Sequence, residues 1–427
     1  MSNRHRFALL LLAGALAWIV AFHTGRRLAY QLAYVSTAIL VGALFSAWIN
    51  IHSILVTRVT LTPRSQVGHL VEETLVLRNK TLLPKLWLEV RDFSTLPGHR
   101  VSRVVSGLGP GQVYRWRVHT LAVMRGLFRL GPMALVSSDP FGLFLFRRPL
   151  PSSTSILIYP LTVPLPYFPL PQGRLPGGTA LRQRTHYATT NVAGVRDYRP
   201  GDALNRIHWR TTARTGHLMS KEFELDPYAD VWCVLDMHRD VYVGENWVEQ
   251  EKEAVPEALG ASKTLLPPHS AEYAVAAIAS VGQYVLRQQR LLGFISYAGK
   301  RHLLHPDRGE RHLHRFLEML ALLVPRGEAP LHHVLSAEIS QFPRHSTLII
   351  ATGDWTPRWV PMLAEIRRRG IYPIVILIDS SSFGPCPSVD PLLPHLARQN
   401  ILTYRIRRGD DLSHVLVHPV VSATAIP

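Results

Sequence analysis

"VWCVLD", residues 231–236, is an uninterrupted apolar run that stops at an aspartate. A short run without polar alternation predicts a strand covered on both faces. Its neighbours repeat the pattern. "LLGFISYA" (291–298), "STLIIATGD" (346–354) and "IYPIVILID" (371–379) are strand-like, and the last two also end in aspartate. Between them, "AEYAVAAIASVGQYVLRQQ" (271–289), "ERHLHRFLEMLALL" (310–323) and "PRWVPMLAEIRRRG" (357–370) carry apolar residues at helical spacing. A further strand, "TYRI" (403–406), and a last helical stretch follow. Strand and helix in alternation predict a doubly wound α/β sheet. Ligands bind such sheets beyond the carboxyl ends of the strands. Asp236, Asp354 and Asp379 each fall at that edge.

Immediately upstream lies "GVRDYRPGDALNRIHWRTTARTG" (194–216), dense in arginine within an otherwise apolar chain. Arg199-Pro200-Gly201-Asp202 suits a tight turn. Asp202 then caps a short helix from about residue 203, and Gly216 is placed to end it. "HLMSKEFEL" (217–225) reads as a strand feeding toward the sheet. The forked guanidiniums of Arg196, Arg206 and Arg214 have Asp197, Asp202, Glu222 and Glu224 as partners within reach in sequence. Trp209 is expected to anchor the short helix on the core. The block therefore reads as a joint of turn, helix and strand, without a nucleophile–base pair.

Further upstream, 161–180 holds five prolines and three glycines, which preclude regular structure and mark a linker. From 55 to 160, short runs such as "HLVEETLVLRNK", "KLWLEVRDF" and "QVYRWRVHTL" are punctuated by Gly, Pro and Asn. That rhythm predicts a β-sandwich, with Asp139 of "DPFG" as a turn residue. Residues 1–54 contain two uncharged stretches, 7–22 and 28–49, separated by "HTGRR". They predict a two-helix transmembrane anchor with Arg26 and Arg27 in its turn. The competing reading is a cleaved signal peptide, against which the immediate second apolar run argues. Arginines flank the hairpin nearly evenly, at 4 and 6 before it and at 58 and 64 after it. The expected arrangement is a multi-pass anchor with the soluble domains in the cytoplasm. The remainder, 181–427, comprises the block and the α/β domain. The fold class expected is thus a transmembrane helical hairpin, a β-sandwich and a doubly wound α/β domain.

The totals narrow the function. Of 427 residues, 47% are apolar, which excludes wholesale disorder. The formal net charge is +17, compatible with nucleic acid, anionic lipid or an acidic partner. Arginine is spread along the chain and no zinc-finger, RNA-binding or basic-zipper pattern occurs, so no nucleic acid is expected as a partner; the lipid bilayer is. The two cysteines, Cys233 and Cys386, form neither a disulfide framework nor a metal motif. No serine elbow, His-Glu-x-x-His helix or phosphate loop is present, so no catalytic residue is assigned. His302, His305, His312 and His314 lack a carboxylate or cysteine at ligand spacing and read as surface residues. Residues 241–270, with five glutamates, read as either a lid over the strand ends or a solvated insertion.

Two resemblances add to this. A strand ending in aspartate, followed after further α/β units by another, resembles the von Willebrand factor A-like fold. In that family the first loop reads Asp-x-Ser-x-Ser and holds Mg²⁺ with the later aspartate and a threonine. Here it reads Asp236-Met237-His238-Arg239-Asp240, with His and Asp in place of the serines. Asp240 still offers oxygen, but histidine is a poor magnesium ligand. The resemblance implies either a Mg²⁺ site at Asp236, His238, Asp240 and Asp354 or a degenerate site that keeps only the fold. The charged block, in turn, closely resembles the signature of the bacterial domain-of-unknown-function 58 family. The matching positions include Gly194, Arg196, Tyr198, Pro200, Gly201, Asp202, Arg206, Trp209, Arg214, Lys221 and Glu224, while Asp197 replaces a usual Glu and His208 a common Asp. The resemblance extends over nearly the whole chain, "SDPFGLF" (138–144) included. It implies association with a MoxR-type AAA+ ATPase, recruited through the A-like domain and this block. The function expected is a membrane-anchored, non-enzymatic scaffold or adaptor in assembly or envelope-stress functions. The alternatives are a metal-dependent hydrolase, and an anionic-lipid or nucleic-acid binder using the arginine-rich block.

Overall fold

The computed structural model describes residues 3–60, 62–170, 192–199, 207–223, 230–244 and 266–422. Two helices open the chain, α1 (Asn3–Thr24) and α2 (Arg27–Ile51). They turn at Gly25, whose φ of +63° suits a residue without a side chain. Small residues let them pack: Ala21, Ala29, Ala33 and Ala43 are buried, and a Cβ on Gly14 would meet Ser36 Oγ at 3.4 Å. Trp18 Nε1 donates to Thr37 Oγ1 across the pair at 3.0 Å. Leucine, isoleucine and phenylalanine stay exposed on the outer faces. Both helices are long and apolar enough to cross a bilayer. At the standard rise, α2 measures about 38 Å against a hydrocarbon core of about 30 Å.

Helix α2 runs almost directly into a strand-rich region. Strands β1 (Ile54–Thr60), β3 (Leu70–Asn79) and β6 (Val113–Leu121) form one antiparallel sheet in the order β1-β3-β6. Strands β4 (Lys85–Asp92), β5 (Arg103–Leu108), β8 (Met133–Ser138) and β9 (Leu145–Leu150) form a second, ordered β5-β4-β8-β9. Their facing sides enclose Leu75, Leu77, Leu88, Val90, Trp116 and Leu135. Glu73 also lies on the inward side of β3 and must be paired there. His99 and Arg58 stand 3.0 and 3.4 Å from its carboxylate, and Thr60 donates to it at 2.8 Å. Burial alone would raise the Glu73 carboxyl. The hydrogen bond from His99, the charge of Arg58 and the Thr60 bond outweigh it and hold the group below its ordinary range.

The expected sandwich is joined by a third sheet, β2 (Arg64–Gln66), β7 (Gly126–Leu130) and β10 (Thr154–Tyr159), in the order β2-β10-β7. The physical reason is visible in β10. Ile156 and Ile158 face a small core of the strand-rich region, while Leu157 and Tyr159 face the core of the α/β region. The strand is thus a wall shared by two domains.

The α/β region contains β13 (Val231–Leu235), β14 (Leu292–Tyr297), β15 (Arg301–Asp307), β16 (Thr347–Thr352), β17 (Tyr372–Ile378) and β18 (Leu402–Ile406). They form a six-stranded sheet in the order β15-β14-β13-β16-β17-β18, parallel except for β15. Alternate residues of β13 serve opposite faces, Val231, Cys233 and Leu235 on one and Trp232 and Val234 on the other. Among the helices, α4 (Ser270–Arg287) and α5 (Glu310–Leu322) cover the first face. Helices α6 (Leu331–Glu338), α7 (Val360–Arg368) and α8 (Leu393–Arg398) cover the second. The doubly wound expectation describes this sheet. Edge strand β15 was not expected; it carries His302 and His305, while His312 is buried with Nε2 at 2.7 Å from Leu292 O.

Residues 161–170, expected as the first half of a linker, lack regular structure but lie along the α/β region. Phe168 is buried and stacks on Tyr404 at 5.4 Å, and the Val163 amide donates to Ser280 Oγ at 3.0 Å. The remainder of that stretch, 171–180, lies outside the described residues. Arg125 locks the strand-rich and α/β regions together. Its guanidinium donates to Leu320 O at 3.1 Å and Leu323 O at 2.7 Å, at the end of α5, and pairs with Glu272 in the first turn of α4. The cation suits the negative carboxyl end of α5, and Glu272, itself suited to the positive amino end of α4, neutralises it.

Candidate functional site

Two places collect the residues that the sequence singles out. The first is the charged block. Strand β11 (Val192–Asp197) pairs antiparallel with β12 (Met219–Phe223), placing Val195 opposite Lys221, Arg196 opposite Ser220 and Asp197 opposite Met219. A bulge lies between Val192 and Gly194. Between the strands sits helix α3 (Trp209–Thr215), ended by Gly216 in the left-handed conformation as expected. Its start differs from expectation. The described helix begins at Trp209, and His208 is its cap: Nδ1 accepts from the Thr211 amide at 3.2 Å, and the His208 amide donates to Met219 O at 2.8 Å. Pro200, Gly201, Asp202, Arg206 and Glu224 lie outside the described residues, so the expected turn and every pair through Arg206, Asp202 or Glu224 do too.

Trp209 overturns a second expectation. It does not anchor the helix; it is 66% exposed, and α3 has no buried residue at all. The anchor is Ile207, which is buried and bridges to Ser220. Arg210 and Arg214 are exposed on the same short helix. Asp197 meets His217, with Nε2 and Oδ1 3.1 Å apart in the open, where such a pair contributes little. Arg196 Nη1 donates to Asp197 O at 2.9 Å, and the half-buried Tyr198 donates its amide to Leu218 O.

The second place is the carboxyl edge of the six-stranded sheet. Asp236 leaves β13 only 5% exposed. Thr352 Oγ1, at the end of β16, donates to its Oδ2 at 2.7 Å, and the His238 amide donates to its Oδ1 at 3.0 Å. Burial pushes the Asp236 carboxyl up to about 6, against those two hydrogen bonds and with the nearby Asp354 pushing the same way. Asp354 accepts the Thr356 amide at 2.8 Å. His238 and Asp240 approach each other only to 4.0 Å, and the Asp240 side chain is exposed. Asp379 pairs instead with Arg407 at 3.2 Å.

The loop after Asp236 folds down onto this edge. Tyr242 is buried and its hydroxyl donates to Asp236 O at 2.6 Å. Ser380 Oγ donates to Val241 O at 2.9 Å, and Ser270 Oγ bonds both the amide and the carbonyl of Val243 at 2.8 Å. Two glycines permit the approach. A Cβ on Gly353 would stand 2.5 Å from Val241 O, and one on Gly327 would stand 2.8 Å from Met237 O. The crevice where doubly wound sheets bind ligands is thus filled by the chain's own residues 241–243. Residues 245–265, expected as a lid or a solvated insertion, lie outside the described residues.

This donor arrangement does not suit a magnesium ion. Among the described residues no group of three or more His, Cys, Asp or Glu converges as metal ligands, so Asp236, His238, Asp240 and Asp354 are not gathered into one set. Both oxygens of Asp236 already accept protein hydrogen bonds. Thr352, Tyr242, Ser270 and Ser380 were not singled out by sequence; only the polar residues directly after apolar strands could have signalled Thr352 and Ser380.

Residues 194–266 match the family described as "Protein of unknown function DUF58", which covers the charged block and the start of the α/β region. "Uncharacterized protein YeaD" of Bacillus subtilis (strain 168) is 22% identical over 226 residues, 53% of this chain and 49% of that protein. The match thus spans about half the length of that relative. Among solved structures, the CARDB domain of the PF1109 protein from Pyrococcus furiosus is similar over 25% of this chain and 91% of its own, at 12% identity and a TM-score of 0.20. A beta-glucosidase from Listeria innocua is similar over 25% of this chain and 16% of its own, at 9% identity and a TM-score of 0.17. Likenesses at those scores carry no argument.

Proposed function

We propose that this chain is a membrane-anchored, non-enzymatic adaptor that engages a MoxR-type AAA+ ATPase through the charged block, with its soluble regions on the cytoplasmic side of the inner membrane. The observation that carries the reading is Trp209. A tryptophan 66% exposed on a helix with no buried side chain, flanked by exposed Arg210, has the composition of a binding hot spot before its partner arrives. The family match over 194–266 supports placing the contact here. The two apolar helices support the anchor.

The α/β region is read as von Willebrand factor A-like, in a form that keeps the fold without a working metal site. Its support is the strand order, the lone antiparallel strand β15 and aspartates closing β13 and β17. The self-bonded Asp236 supports the loss of the ion. The test is retention of a purified MoxR-type ATPase from the same organism by the detergent-solubilised chain. Trp209→Ala and Arg196→Ala are expected to weaken retention while leaving the fold intact. Full retention by both folded variants overturns the reading.

A further inference from the structure

The strand-rich region has one end that faces the membrane helices, and its composition is unlike that of the other end. Three contacts define it. Phe7 of α1 packs edge-on against Phe144 at 5.3 Å. Asn50 of α2 donates to Ser138 O at 3.4 Å and accepts the Leu86 amide at 3.3 Å. The buried Lys85 places its ammonium on Ile49 O and, at 3.3 Å, on His52 O, so a cation from β4 caps the carboxyl end of α2. The turns 80–86 and 139–145 are thereby held beside the ends of both helices. The opposite end, from Arg125, meets the α/β region.

The turns beside the helices are apolar where water would favour polar residues. Leu82 is 91% exposed, and Leu83, Leu86, Phe141 and Leu145 are each at least half exposed. Phe141 is not loose: Asp139 accepts the amides of Phe141 and Phe144 at 2.9 and 2.6 Å, which fixes the turn that presents the ring. Charge around these turns has one sign. Arg78 and Arg115 are exposed on the neighbouring strands, and Lys80 is exposed at the start of the first turn. Residues 48–57, 74–88 and 104–138 contain no aspartate or glutamate, and Asp139 is buried. Apolar side chains at the tip with cations just behind them match the layering of a bilayer interface, acyl chains below and anionic headgroups above.

We infer that the turns 80–86 and 139–145 enter the bilayer interface, with Leu82 and Phe141 among the acyl chains and Arg78, Lys80 and Arg115 on anionic headgroups. The inference rests on the reading of α1 and α2 as membrane-spanning. Continuity supplies the occupant: the end of α2 that leaves the bilayer is bonded directly to the strand that follows the first turn. The strand-rich region is then a rigid foot, seated on an anionic leaflet, that fixes the height and tilt of the α/β region above the membrane.

The test uses the full chain reconstituted in phosphatidylcholine vesicles with and without phosphatidylglycerol. In a Cys386→Ser background the remaining thiol, Cys233, is buried, so single labels report their own site. Bimane is attached at Leu82→Cys and Phe141→Cys, at Leu12→Cys on the outer face of α1, and at Leu70→Cys, exposed at the far end of β3. Doxyl lipids are the quencher. Labels at 82, 141 and 12 are expected to lose fluorescence while the label at 70 does not. Arg78→Glu with Lys80→Glu is expected to reduce quenching at 82, and only in vesicles containing phosphatidylglycerol. Quenching at 12 without quenching at 82 and 141 overturns the foot and leaves the anchor standing. No quenching at 12 overturns the anchor, and the foot with it. Quenching at 82 that ignores both phosphatidylglycerol and the charge reversal overturns the headgroup contact.

Discussion

Replacing Asp236 by asparagine tests the strand-end carboxylate most sharply. Burial raises this group from an ordinary 3.8 to about 6 in the folded chain. The folded state therefore holds the proton more tightly than the unfolded state does. Stability attributable to Asp236 is full below pH 3.8 and is lost as pH rises through about 6. The gap corresponds to a penalty of about 3 kcal/mol for carrying the ionised form, of which about 2 kcal/mol develops between roughly pH 4.5 and pH 7.5. An amide at 236 never ionises and avoids that penalty. It still accepts the Thr352 hydroxyl but cannot also accept the His238 amide, and one orphaned donor costs about 1–2 kcal/mol. D236N is therefore expected to be less stable than the parent at low pH and equal or more stable near neutrality. Buried Cys233 lies on the same strand and provides the probe. In a Cys386→Ser background, pulse labelling of that thiol across a urea series reads unfolding of this sheet alone. A parent–variant difference that does not change with pH refutes the reasoning. So does added Mg²⁺ that stabilises the parent but not D236N, because the carboxylate would then be a ligand.

Four further outcomes follow from other contacts. Arg125→Ala leaves two buried carbonyls and Glu272 without their cation, and is expected to cost about 3–5 kcal/mol and to split unfolding into two transitions; calorimetry of the detergent-solubilised chain reads both. Gly353→Ala forces a methyl to 2.5 Å from Val241 O, so the 241–243 loop must lift; hydrogen exchange of the Val243 amide is expected to rise sharply. His208→Ala removes the cap of α3 at a cost of about 1 kcal/mol confined to the block; exchange in 209–215 should increase while that in β13 does not. Trp209→Ala is expected to leave thermal stability unchanged, because an exposed ring on a helix with no buried side chain contributes little packing.

What the sequence discloses follows the way each element is buried. Strands β13, β16 and β17 are covered on both faces, so they appear as continuous apolar runs, and helix α4 between them keeps a strong apolar face. Edge strand β15 is mostly half-buried or exposed, so "RHLLHPD" shows no such run; its pairing with β14 makes it a strand. The third sheet was hidden for a related reason. "TSILIY" reads as one strand whichever sheet it joins, and its two-sided burial depends on a domain distant in sequence. At the block, the glycine stop at 216 was legible from backbone conformation alone. The status of Trp209 was not, because a tryptophan in a short helix is ordinarily a core residue, and here Ile207 takes that place. The self-bonded state of Asp236 depends on Thr352, which reaches it from another strand 116 positions away.

In the proposed function the charged block is the contact surface for a partner ATPase and Trp209 is its hot spot. The direct measurement is the dissociation constant of a purified MoxR-type ATPase from the same organism for the reconstituted chain, parent against Trp209→Ala. Loss of a hot-spot tryptophan typically weakens binding by about 2 kcal/mol or more, a rise of roughly thirtyfold in Kd, with unfolding unchanged. An unchanged constant in a folded variant, against a parent that does bind, contradicts the account.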